Sequence, residues 1–106
     1  MMENDSKVFS AKDAVDYAGN SVVSKTIIKK STGTVTLFAF DKGEALSEHT
    51  APFEALVLVI DGQAEITVGG KINSVAAGQA IILPANIPHA VKANERFKMM
   101  LTMIKG

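Results

Sequence analysis

The stretch GEALSEHTAPFEALVLVIDG, Gly43 to Gly62, decides how this chain is read. A glycine stands at each end, His49 sits in the first half, and the apolar run Ala55–Ile60 leads into the second glycine. Glycine supplies the positive φ that tight turns need. The spacing therefore marks chain reversals with strand-forming segments between them. Residues two apart on an extended strand share a face. His49, Ala51, Phe53, Ala55, Val57 and Val59 are expected on one face, with Glu48 and Glu54 on the other. Glu54 turns inward only if the chain bulges near Pro52.

The same pattern continues outward in both directions. SVVSKTIIKK (21–30) precedes a turn at Ser31–Gly33, and TVTLFAFD (34–41) precedes one at Lys42–Gly43. EALVLVID (54–61) runs to Gly62, AEITV (64–68) to the hairpin signal Gly69–Gly70, and KINSVAA (71–77) to Gly78. AIIL (80–83) stops at Pro84, and PHAVKA (88–93) and RFKMMLTMI (96–104) finish the chain. Short strands with turn signals roughly every ten residues predict an all-β sandwich or barrel rather than βαβ units. Before them, Ser10 as N-cap with Asp13 three residues on predicts a short N-terminal helix ending near Gly19–Asn20.

Composition narrows the function classes. A length of 106 residues predicts one domain, 1–106, and 47% hydrophobic residues exclude a disordered chain. Eleven basic and 11 acidic side chains leave no basic excess, so no nucleic-acid partner is expected. With no cysteine, disulfides, thiolate metal sites and cysteine nucleophiles are excluded. The polar start MMENDSKVFS has no signal-like apolar core, and Ala55–Ile60 is far too short to span a bilayer. A cytoplasmic protein without a membrane partner is expected. ALVLVI, AIIL and MMLTMI are apolar on both faces, where a half-exposed strand would alternate. The second face predicts a homodimer; the alternative is that the N-terminal segment folds across it.

At these residues the chain resembles the cupin superfamily. The family's first motif runs glycine, five residues, H-x-H, a glutamate, then glycine; here Gly43, His49 and Gly62 match it over 43–62. The second motif matches over 78–93 through Gly78, Pro84 and His89, with Asn86 in a glycine place. The resemblance implies a double-stranded β-helix, a jelly-roll barrel, here with a short N-terminal helical segment. In the family three histidines and the glutamate bind a metal. The second histidine place is Ala51, the glutamate place Ala55 and a terminal asparagine place Ala93. Only His49 and His89 remain, so the resemblance implies a reduced metal site with no cofactor or a weakly bound divalent metal.

Replacing ligands by alanines opens space. The expected pocket is lined by Phe38, Phe40, His49, Ala51, Ala55, Val57, His89, Met99 and Leu101, with Met103 as a further candidate. Apolar walls with a few placed polar groups suit a small-molecule ligand. A second reading completes a metal site from His49, His89 and a carboxylate such as Glu54, or Glu44 or Asp41 from a loop at the barrel mouth, for dioxygenase, isomerase or lyase chemistry. A third has Phe53 fill the barrel, leaving a structural or interaction module.

Overall fold

In the computed structural model, residues 6–106 are described, and they form eight strands. These are β1 (Val22–Lys30), β2 (Gly33–Phe40), β3 (Ala45–His49), β4 (Glu54–Val68), β5 (Lys71–Ala76), β6 (Ala80–Leu83), β7 (His89–Lys92) and β8 (Phe97–Ile104). All pairings are antiparallel. One sheet runs β1-β2-β8-β4-β6, and the other runs β5-β4-β7-β3. The fold is all-β, a curled double-stranded barrel, as the turn spacing predicts.

One strand joins the two layers. The sequence pattern reads EALVLVID and AEITV as separate strands broken at Gly62. The structure runs through them as the single 15-residue β4. Its first half pairs with β6 and β8, its second with β5 and β7. A bulge between Val59 and Asp61 turns the strand from one sheet into the other. Gly62 (φ 71°) takes up that bend. Its Cα packs so close to the Arg96 carbonyl and Phe97 that a Cβ would overlap them. The glycine here serves a bulge and a close approach, not a reversal. Gly69–Gly70 does form the expected two-residue hairpin, closing Val68 against Lys71.

The layers enclose a core in which Phe40, Val57, Val59, Ile66, Phe97 and Met99 are fully buried. Phe40 and Phe97 stack with centroids 4.5 Å apart. The chain connectivity defines two ends. Gly62, Ala64, Phe40, Phe97 and Ala93 lie at one, where the Gly43 N–H donates to the Ala93 carbonyl at 2.7 Å. At the other lie the end of β3, the start of β4 and the start of β7.

The expected N-terminal helix is not formed. Residues 10–14 make only two turn-type bonds, Asp13 N–H to Ser10 C=O and Ala14 N–H to Ala11 C=O, and no helix occurs among the described residues. A segment this short cannot sustain helix nucleation alone, so tertiary contacts decide its path. It lies across the outer face of β2 and β8. There Val15 is buried with Leu37 and Ala39, and Ala11, Ala14 and Tyr17 pack around them. Tyr17 Oη donates to Asp61 Oδ2 at 2.7 Å, and the buried Lys98 ammonium donates to the Lys12 carbonyl at 2.6 Å. Burial, then the bond to Asp61, pushes the Tyr17 hydroxyl pKa up; the same bond holds Asp61 below the usual carboxylate range. The apolar outer faces of β2 and β8 are thus partly covered from within the chain. No helix of the described residues is long and apolar enough to cross a membrane.

Candidate functional site

The two histidines, 40 positions apart in sequence, meet. β3 and β7 pair so that His49 lies opposite His89. Their Nε2 atoms are 3.1 Å apart, with ring centroids at 4.4 Å and planes at 72°. A register shift between Leu46 and His49 places them there. Leu46 packs against the core. Strict alternation would then turn His49 outward, three residues on. The extra residue of the bulge restores its inward direction.

Both rings are held alike. His49 Nδ1 lies 2.8 Å from the Ser47 carbonyl oxygen, and His89 Nδ1 lies 3.3 Å from the Ile87 carbonyl oxygen. A carbonyl only accepts, so each Nδ1 carries the donated hydrogen. In neutral imidazoles both Nε2 atoms are then acceptors, and they face each other within hydrogen-bond distance. That contact is stable only if something bearing positive charge or a donor hydrogen joins it: a shared proton, a cation, or a ligand O–H or N–H. His89 is buried and His49 exposed. Burial, then the neighbouring His49, lowers the His89 pKa from its ordinary 6.5, partly opposed by the Ile87 carbonyl. His89 is therefore harder to protonate than a free imidazole.

The carboxylates considered from the sequence lie elsewhere. Glu54 is exposed on the outer face, opposite Ile104, while its neighbour Ala55 points inward. Asp41 and Glu44 belong to the opposite end of the barrel, not to a loop at the histidine mouth. Glu44 C=O accepts from the Ala93 N–H, and Asp41 accepts from Arg96 Nε at 2.8 Å and Asn20 N–H at 2.7 Å. The Arg96 bond, followed by the Asn20 bond, holds Asp41 below the usual carboxylate range. Among the described residues no group of three or more His, Cys, Asp or Glu is placed to hold a metal ion. Two nitrogens about 2.1 Å from one ion and separated as here would subtend about 95°, which suits neighbouring ligands. Zinc sites need at least three protein ligands, and Ala51 and Ala55 supply none.

The expected pocket residues spread along the barrel axis. Ala51 and Ala55 lie at the histidine end, where the Ala51 carbonyl accepts from the Asn86 N–H at 2.7 Å. Residues 50–53 are outside any strand, so Ala51 and Phe53 do not continue a His49 face. Phe53 is half-buried, its ring 5.7 Å from Lys105 Nζ. Phe38, Val57, Met99 and Leu101 form the middle layer through the pairs Phe38–Met99 and Val57–Leu101. Phe40 belongs to the closed end, stacked on Phe97. Val68, paired with His89, is only half-buried, as are Ala51, Leu101 and Met103. The Ser47 and Ile87 carbonyls and the β3 bulge escaped sequence reasoning, because a backbone carbonyl carries no residue signature.

With this geometry in view, comparison with known proteins is direct. A family model described as "Cupin domain" matches residues 36–105, and the chain belongs to the cupin family. A conserved protein of unknown function from Streptococcus pyogenes is 36% identical in sequence. It superposes with a TM-score of 0.90 over 95% of this chain and 89% of its own. A cupin 2 conserved barrel domain protein from Leptotrichia buccalis is 43% identical, with a TM-score of 0.88 over 92% of this chain; the match spans 47% of that longer chain. An uncharacterized protein of Streptomyces coelicolor is 29% identical over 74 residues, 70% of each chain.

Proposed function

We propose that this cupin binds a small molecule at the histidine end of the barrel, and that the pair works as a polar anchor without a resident metal. The observation that carries this is the Nε2–Nε2 contact of 3.1 Å between rings whose Nδ1 hydrogens are already committed to carbonyls. Two facing acceptors select a ligand group that brings a hydrogen, such as a hydroxyl, an enol or an amine. The half-buried Val68, paired with His89, suits an apolar body attached to that group. A pair with one open donor requirement orients a ligand; among the described residues no carboxylate adjoins it to drive further proton transfer.

The test is thermal unfolding of the full chain against a panel of small hydroxy acids, phenols and amines, run beside His49→Ala and His89→Ala. Stabilisation by donor-bearing compounds that vanishes in both variants supports the reading. Elemental analysis of the untagged protein, purified without added metal, gives the contrary result: about one metal per chain, lost in His49→Ala, overturns it.

A further inference from the structure

We infer that Lys71, at the tip of the β4–β5 hairpin, is an anion anchor for the histidine end, and that the ligand bound there carries a carboxylate as well as a hydroxyl. This rests on the pair acting as a ligand anchor and narrows the class of ligand. Three strand pairings place the lysine. β3 and β7 set His49 opposite His89, β7 and β4 set His89 opposite Val68, and the hairpin sets Val68 opposite Lys71. Residues directly opposite each other on neighbouring strands share a face of the sheet. His49, His89, Val68 and Lys71 therefore form one row on one face. That face is the inner one. In the same alternation Ile66 pairs with Asn73 and Ala64 with Val75, and Ile66, Ala64 and Val75 are core residues. Ile72, on the opposite face, is 66% exposed.

The hairpin fixes this placement. Gly69 and Gly70 both take positive φ, 57° and 82°, the backbone of a two-residue turn that sets the strand register. A slip of one residue would send Lys71 to the outer face. The Gly69 N–H donates to the Pro88 carbonyl at 2.8 Å, which ties the turn to the residue before His89. The Asn73 side-chain amide donates to the Lys71 carbonyl at 3.0 Å and the Ile66 carbonyl at 3.2 Å, which braces the strand that carries the lysine. Along the row the chemistry changes in order: two imidazole acceptors, an apolar side chain, an ammonium. Lys71 stands two inter-strand spacings from His89, about 10 Å between backbones. Its flexible stem lets the ammonium turn back over Val68. Lys71 is exposed at the rim, and among the described residues it enters no ion pair. A ligand that satisfies the whole row brings a donor hydrogen to the pair, an apolar spacer to Val68 and an anionic group to Lys71. A hydroxy acid whose hydroxyl and carboxylate are separated by a short apolar body does all three. A ligand ending in an ammonium is repelled by the like charge.

The test is a titration of the full chain at low ionic strength, read by amide chemical shifts. The probes are para-hydroxyphenylacetate, the uncharged alcohol tyrosol and the amine tyramine, which share a phenol and differ in the end group. The acid should bind about three- to fivefold more tightly than the alcohol, the increment of one exposed ion pair, and the amine should bind most weakly. Lys71→Gln should bring the acid down to the affinity of the alcohol, Lys71→Arg should keep the preference, and His49→Ala should weaken all three. Equal affinity for acid and alcohol, or a preference that survives Lys71→Gln, overturns the role of Lys71 and leaves the pair as the anchor. A preference that Lys71→Gln removes, with binding indifferent to His49→Ala and His89→Ala, supports Lys71 and overturns the reading of the pair. Failure of all three probes to bind overturns both.

Discussion

The two ends of the barrel are built from opposite materials. At the closed end Phe40 and Phe97 stack in full burial, and Gly62 admits the Arg96 carbonyl where any side chain would collide. At the other end the buried His89 meets the exposed His49, and Val68, paired with His89, stays half-buried. Folding stability per residue follows apolar burial and packing density. The closed end therefore carries the stability of the barrel, and the histidine end is free to carry polar chemistry. The difference also explains why the histidine end tolerates small residues at 51 and 55: a ring of strands already closed elsewhere does not need them as mortar.

Substitutions at the two ends put this contrast at risk, and the largest effect belongs at the bulge. Gly62→Ala adds a methyl group into the Arg96 carbonyl at a φ of 71°. It should cost about 3 kcal/mol or more, or prevent folding. Chemical denaturation reads this directly, and a loss under about 1 kcal/mol would mean that the closed end is slack. Next comes a matched pair of truncations. Phe97→Ala should cost about 3–5 kcal/mol. Val68→Ala, in a half-buried position opposite His89, should cost about 1–2 kcal/mol because part of its surface is already wet. Equal losses would erase the distinction between the ends.

The smallest effect is expected at the pair itself. His89→Gln should change stability at neutral pH by less than about 1 kcal/mol, yet alter its pH dependence. The folded-state pKa of His89 is lowered below the ordinary 6.5, so the unfolded chain binds the proton more readily. The stability tied to neutral His89 is present above that value and is lost as pH falls from it toward the folded pKa. Wild-type unfolding free energy should drop across this interval, and the drop should be shallower in His89→Gln. An unchanged slope in the variant would detach the pH response from the pair.

Much of the architecture was legible in the residues. Turn glycines at 43, 69, 70 and 78 adopt positive φ, as does Asn86 at 64°, in a place where asparagine substitutes for glycine at small cost. The two motif frames, 43–62 and 78–93, bring His49 and His89 together from opposite ends of the pattern. Local signals suffice here because turn conformation and strand alternation are properties of a few consecutive residues.

Other features were settled only by contacts between distant segments. Gly62 looks like a turn until Phe97 and Arg96 are packed against it, and then it is a bulge inside a 15-residue strand. Ser10–Asp13 carries a good helix start, but a single turn cannot propagate against the apolar face of β2 and β8, and the segment becomes a cover instead. The inward direction of His49 depends on an extra residue in β3 whose need arises from pairing with β7. The all-β class, the turn positions and the identity of the two polar groups at the site follow from the residues alone. Their tautomers, their 3.1 Å approach and the lack of a carboxylate beside them among the described residues arise from the packed fold alone. Those depend on backbone carbonyls and cross-strand register, which no residue identity encodes locally.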